Sequence, residues 1–266
     1  MTNYKITVLL FSFFILNQST LCQTSITIGE SVVIQSDILE QERQLNIYLP
    51  QQYNPDSSSL YPVIYVLDGS LDEDFIHIAG LTQFHSFPWL HKVPPCIVVG
   101  IANVNRYHDF TYPSNEKESV KINPDNGGSS EFIAFIEQEV QPYINNHYKT
   151  DTVTTLIGQS LGGLLASEIL IKKPDLFDHY LIVSPSLWWD NQSLLEIEAQ
   201  SYQKTKHVYI AVGNEGKIMK KVARKLFQKI KKHKNTKSKF RYFPELDHGD
   251  ALHLSVYYGL QEIFKQ

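Results

Sequence analysis

The sequence predicts an α/β fold: a mostly parallel sheet of eight strands, helices on both faces, and an antiparallel hairpin at the N-terminal edge. Two observations carry this. Val63-Ile-Tyr-Val-Leu67, Cys96-Ile-Val-Val99, Thr152-Val-Thr-Thr-Leu-Ile157, Tyr180-Leu-Ile-Val183 and His207-Val-Tyr-Ile-Ala-Val212 are short, continuous apolar runs. Such runs mark strands covered on both faces, as in a parallel sheet. Between several of them lie stretches of helical period, and strands alternating with helices build a doubly wound sheet.

Taken in order, the segments around Ile26–Gln35 and Arg43–Leu49 alternate at period two and predict the hairpin. Asn54-Pro-Asp-Ser-Ser-Ser59 is a surface turn. From Asn103 to Gly128 no periodicity is visible, and a long irregular loop in a compact domain is often functional. Ser129 to Tyr148 carries Phe132, Phe135, Ile136, Val140 and Ile144 on one helical stripe. Leu161 to Lys172 predicts a helix directly after a strand, Lys217 to Lys232 places Ile218, Val222, Leu226 and Ile230 at steps of four, and Ala251 to Phe264 closes the chain. Twelve of the 24 Lys and Arg residues fall between Lys217 and Arg241, which reads as the solvated face opposite that apolar stripe. The last strand is Lys239–Phe243.

With 42% hydrophobic and 20% charged residues, the composition excludes a disordered chain. A net charge of −4 gives no global attraction to nucleic acid or anionic membrane. No metal-site spacing is present, and no cofactor is implied. Residues 1–22 have the layout of a secretory signal peptide: Lys5, the apolar run Ile6–Leu16, then a polar stretch to Cys22. The rival reading, lipid attachment at Cys22, meets a bulky Leu21. The expected product is a secreted or periplasmic single domain over 23–266, without stable membrane insertion, holding one cysteine, Cys96, in a buried strand.

The decisive segment is Thr155-Leu-Ile-Gly158-Gln159-Ser160-Leu161-Gly162-Gly163, where a β run ends in G-x-S-x-G and a small-residue helix follows at once. A nucleophile on a strand-to-helix turn projects into solvent, and the helix N-terminus aims free N–H groups at a developing oxyanion. Ser160 is therefore the candidate nucleophile. A serine needs a base, and in α/β-hydrolases the chain order is Ser, acid, His. His248 follows the last strand in a Pro244-Glu-Leu-Asp-His-Gly249 loop, unlike the other nine histidines. Glu215, in the turn after His207–Val212, is the candidate acid; Asp190 is its rival, and Asp247 lies too close to His248 to face its ring. The oxyanion donors are expected to be the backbone N–H of Leu161 and that of Gly69 or Ser70, in the turn after the third strand.

The chain resembles the Putative esterase family of α/β-hydrolases, which includes esterase D, feruloyl esterases, mycolyltransferases and siderophore esterases. The resemblance rests on Val63–Gly69, Val99–Asn103 with Arg106 and Asp109-Phe-Thr-Tyr-Pro113, Phe132–Tyr148, Gly158–Gly163, Ser184-Pro-Ser-Leu-Trp-Trp189 and Asp247–Gly249. The Trp-Trp run and the R-x-x-D-F-T-x-P loop look most like the siderophore-esterase branch. That implies a secreted serine carboxylesterase acting on a small-molecule ester of siderophore trilactone type, with Arg106, Trp188 and Trp189 near the cleft. An acyltransferase of the same fold, or a feruloyl or acetyl esterase on plant or glycan esters, are the alternatives.

Overall fold

In a computed structural model that describes residues 24–265, eight strands form one sheet in the order β1-β2-β4-β3-β5-β6-β7-β8. They are β1 Glu30–Ser36, β2 Gln41–Tyr48, β3 Tyr61–Val66, β4 Ile97–Ile101, β5 Thr150–Gln159, β6 His179–Val183, β7 Lys206–Val212 and β8 Thr236–Tyr242. The pairs β1/β2 and β2/β4 are antiparallel, and every other pair is parallel. The predicted leader lies outside the described residues. No helix among those described is long and apolar enough to cross a membrane.

Strand periodicity divides the core in two. Val63 and Tyr65 of β3, Leu156 of β5, Tyr180 and Ile182 of β6, and Val208 and Ile210 of β7 point to one face. Helices α4 Ser129–Phe135, α5 Gln141–His147, α6 Leu161–Lys172 and α7 Gly216–Ile230 pack there. The intervening Ile64, Ile157, Leu181 and Tyr209 point the other way, under α1 Phe75–Ser86 and α8 Ala251–Ile263. Each strand is thus apolar on both sides, which is why the runs are continuous.

Two details depart from the expected pattern. The stretch predicted as one helix from Ser129 widens into a π turn at Ile136–Val140, just before Pro142, which has no N–H to bond back into that turn. Helix α1 has no counterpart in the sequence pattern: its apolar residues form no single stripe, since Ile76 is exposed while Phe75, Ile78 and Ala79 are buried. The loop from Asn103 to Gly128 contains two short helices, α2 Arg106–Asp109 and α3 Lys117–Ile122. Arg43 of β2 anchors α2 through a fully buried ion pair to Asp109 at 2.7 Å, its guanidinium 5.4 Å from the Phe132 ring centre.

Candidate active site

The site is assembled at the C-terminal ends of β3, β5, β7 and β8, where a parallel sheet leaves its loops free to carry chemistry. Ser160 joins β5 to α6 with φ 58° and ψ −117°, a conformation that costs a non-glycine residue about 1–3 kcal/mol. The surroundings hold it there: the Ser160 N–H donates to the Val183 carbonyl at 3.1 Å, and the Ser160 carbonyl accepts from Leu164 and Ser186, both at 2.9 Å. The glycines of the elbow are steric necessities. A Cβ on Gly158 would sit 2.4 Å from the Gly162 carbonyl oxygen, and one on Gly163 2.9 Å from that of Val183.

Ser160, Ser186, Trp188, Glu215, Met219 and His248 line one open cleft of about 680 Å³. Within it, His248 Nδ1 lies 2.5 Å from Glu215 Oε2. An ionised carboxylate only accepts, so Nδ1 carries the proton and Nε2 keeps its lone pair. The other carboxylate oxygen of Glu215 accepts from the Gly213 N–H at 2.8 Å and from the Ser184 hydroxyl. Burial pushes the Glu215 carboxyl up, but the bonds from His248, Ser184 and Gly213 outweigh it and hold the group below the usual glutamate range. The hydrogen bond to Glu215 raises the His248 imidazole above its ordinary value, against the opposing pull of burial. Gln159, next to the serine, donates to the His248 carbonyl at 2.6 Å and ties the histidine loop to the elbow. The Ser160 hydroxyl itself lies 3.4 Å from that of Ser186.

The rival acids are engaged elsewhere. Asp190 accepts from Ser114 and Ser193, both at 2.6 Å, and Asp247 caps the Gly249 and Asp250 amides.

Two expectations need correction. The Gly69 N–H donates to the Ile101 carbonyl at 2.9 Å, so it has no bond left for an oxyanion, whereas the Ser70 N–H has no acceptor among the described residues. Asp68, one place before Gly69, has φ 56°. Its N–H has no acceptor among the described residues, and its carboxylate lies against Gly162 at the start of α6. Leu161 N–H, in the first turn of α6, likewise has no helical partner. Trp189 is the second correction. It is 0% exposed and its indole N–H donates to the Tyr112 carbonyl at 3.0 Å, so it packs in the core, while Trp188 reaches the cleft. The chain turns away after them through positive φ at Asp190, Asn191 and Gln192. Trp189→Ala is accordingly expected to cost about 3–5 kcal/mol of stability, read by urea unfolding, as removal of a buried aromatic does.

Arg106 is present at this end of the sheet as a fork on Asp68, with Nε to Oδ1 at 2.7 Å and Nη2 to Oδ2 at 3.0 Å. Asn103 adds a third donor at 2.6 Å. These charge-assisted donors offset the negative charge of Asp68 at this end of the sheet. Burial, with Asp68 and Glu73 close by, pushes the neighbouring Asp74 up to about 7.

A parallel sheet with a serine on a strand-to-helix elbow and a His–carboxylate pair after the last strands is the architecture of the α/β-hydrolases. The profile of the family described as "Putative esterase" matches residues 36–259, and the chain belongs to that family. It is 32% identical to the ferri-bacillibactin esterase BesA of Bacillus subtilis (strain 168) over 174 residues, a match spanning 59% of this chain and 58% of that relative. Among solved structures, the BES protein from Bacillus cereus superposes with a TM-score of 0.80 at 31% identity, covering 92% of this chain and 98% of the other. An IroE-like serine hydrolase from Shewanella oneidensis gives 0.78 at 30% identity, covering 89% and 80%.

Proposed function

We propose that this chain is a serine carboxylesterase that opens siderophore trilactone-type esters through an acyl-enzyme on Ser160. The observation that carries the mechanism is the Glu215–His248 bond in the same cleft as the strained Ser160 elbow. As Ser160 Oγ attacks the ester carbonyl, His248 Nε2 takes its proton and passes it to the departing alkoxide, while Glu215 supports the imidazolium. The Leu161 and Ser70 amides receive the oxyanion. Water, deprotonated by His248, then releases the acyl group. The substrate class is supported by what the similar proteins are named for and by two groups, Trp188 on the cleft and the Arg106 guanidinium, suited to a catecholate ring and its oxygens. We place the mature enzyme outside the cytoplasm, after removal of residues 1–22.

The test is hydrolysis of a ferric catecholate trilactone beside short p-nitrophenyl esters, by the protein and its Ser160→Ala variant. Serine-dependent opening of the trilactone is the expected result. Turnover of the short esters alone would keep the mechanism and reject the substrate. Transfer of the acyl group to an added alcohol in preference to water would make the chain an acyltransferase.

The pH dependence follows from the imidazole. His248 works as a base only when neutral, so kcat/KM should climb with pH through a midpoint above the ordinary histidine value of about 6.5. Glu215→Gln removes the charge that raises it. The midpoint should fall, and turnover should drop by up to about 10⁴-fold, the effect of the equivalent change in a serine-protease triad. An unmoved midpoint would show that Glu215 does not orient the base.

A further inference from the structure

A second cleft, of about 560 Å³, lies on the α8 face of the sheet and shares no residue with the cleft of Ser160. Strand register builds its floor. Tyr209 of β7 pairs with Lys239 of β8, and Ala211 with Arg241, so Tyr209, Lys239 and Arg241 point to the same side. Helix α8 adds Tyr258 and Glu262, and the segment before β4 adds Lys92.

Three features set this cleft apart from an ordinary charged surface. Lys92, Lys239, Arg241 and Lys265 all line it, and none forms an ion pair with a carboxylate among the described residues, although Glu262 is close by. The Arg241 guanidinium is held over the Tyr258 ring at 3.6 Å and near that of Phe243 at 4.8 Å, which fixes its plane without occupying its hydrogen-bond donors. The Tyr209 hydroxyl, on a residue only 2% exposed, has no partner within hydrogen-bonding geometry among the described residues. Burial pushes that hydroxyl up to about 12, against the pull of the Arg241 guanidinium, which lies close enough to act on it both as a charge and as a hydrogen-bond donor, so the hydroxyl remains protonated at neutral pH. Lysines on an edge strand can serve simply to discourage edge-to-edge pairing. That role accounts for neither a buried, unpartnered hydroxyl nor a stacked guanidinium beside it.

We propose that this cleft is a binding site for a small multivalent oxyanion, a phosphate or a polycarboxylate, gripped by Arg241 and Lys239 and completed by the Tyr209 hydroxyl. Lys92 and Lys265 add charge at its rim. A planar guanidinium suits the paired oxygens of either ligand, and a buried hydroxyl bonded to an anion is worth more than one left bare.

The test is isothermal titration of the protein with inorganic phosphate and, separately, with citrate, at low ionic strength. Saturable binding of at least one is expected, with a dissociation constant of about 1 mM or tighter. Tyr209→Phe should weaken it about tenfold, the loss of one hydrogen bond to a charged partner, and Lys239→Gln with Arg241→Gln should abolish it. Far-ultraviolet circular dichroism and thermal unfolding of each variant without ligand control for folding. Preference for phosphate or for citrate identifies the ligand class. Absence of binding by either anion to the well-folded protein, or equal binding by the folded variants, would overturn the proposal. None of these outcomes depends on the esterase reading.

Discussion

Ser160→Ala is expected to lower turnover of an activated ester by about 10⁶-fold, the cost of removing the nucleophile from a working serine–histidine unit. Folding should be untouched, because the elbow is held by backbone bonds: Ser160 N–H to Val183, and the Ser160 carbonyl to Leu164 and Ser186. The serine hydroxyl adds only its 3.4 Å approach to that of Ser186, a distance too long for a strong bond. A positive φ does make alanine slightly strained at this position, as serine already is. The measurement is kcat on a p-nitrophenyl ester together with labelling by a fluorophosphonate. Loss of both with an unchanged melting temperature assigns the nucleophile. If the variant kept near-normal turnover, the reaction would have to run through another group, and Ser186, its nearest hydroxyl neighbour, would be tested next.

The second large effect is steric. In Gly158→Ala the new methyl would lie 2.4 Å from the Gly162 oxygen and 2.6 Å from its carbonyl carbon. Both are backbone atoms at the start of α6, so no side chain can swing aside. Relief requires the strand and helix to part, which moves Ser160 relative to the His248 ring and displaces the Leu161 amide. A shift of about 1 Å in such a constellation costs on the order of 10²-fold in rate. The overpacking itself should cost about 1–3 kcal/mol in urea unfolding. A fully active variant of normal stability would mean that the elbow is far more pliable than its packing indicates.

What can be read from the chain alone divides along a physical line. Helix α6 begins and ends where the apolar run after Ser160 predicts, because strand, glycines and helix are contiguous and their patterns are local. Glu215 and His248 are legible for a similar reason: each sits in the loop that follows one of the last two strands, and the parallel sheet brings those loops to one edge. The oxyanion turn is not. Which of Gly69 and Ser70 keeps a free amide is decided by the pairing of Gly69 with Ile101, on a neighbouring strand more than thirty residues away. The two tryptophans show the same limit. Trp188 and Trp189 are adjacent and chemically identical, and only the left-handed bend at Asp190–Gln192 and the acceptor on Tyr112 decide which is buried. Helix α1 escapes a reading by pattern because its apolar residues are not confined to one face, leaving no period to detect.

The strand order has a consequence for how the molecule comes to life. The serine arrives with β5 in the middle of the sheet, the glutamate with β7, and the histidine only after β8, the edge strand reached last by the chain. A nascent polypeptide still lacking β8 already possesses the elbow, yet it has no base to activate it. A complete site therefore requires β8 to be paired with β7 and α8 to be closed over Leu181 and Tyr209. Recovery of ester turnover during refolding should therefore not precede the pairing of β8 with β7, making activity a reporter of that edge of the sheet.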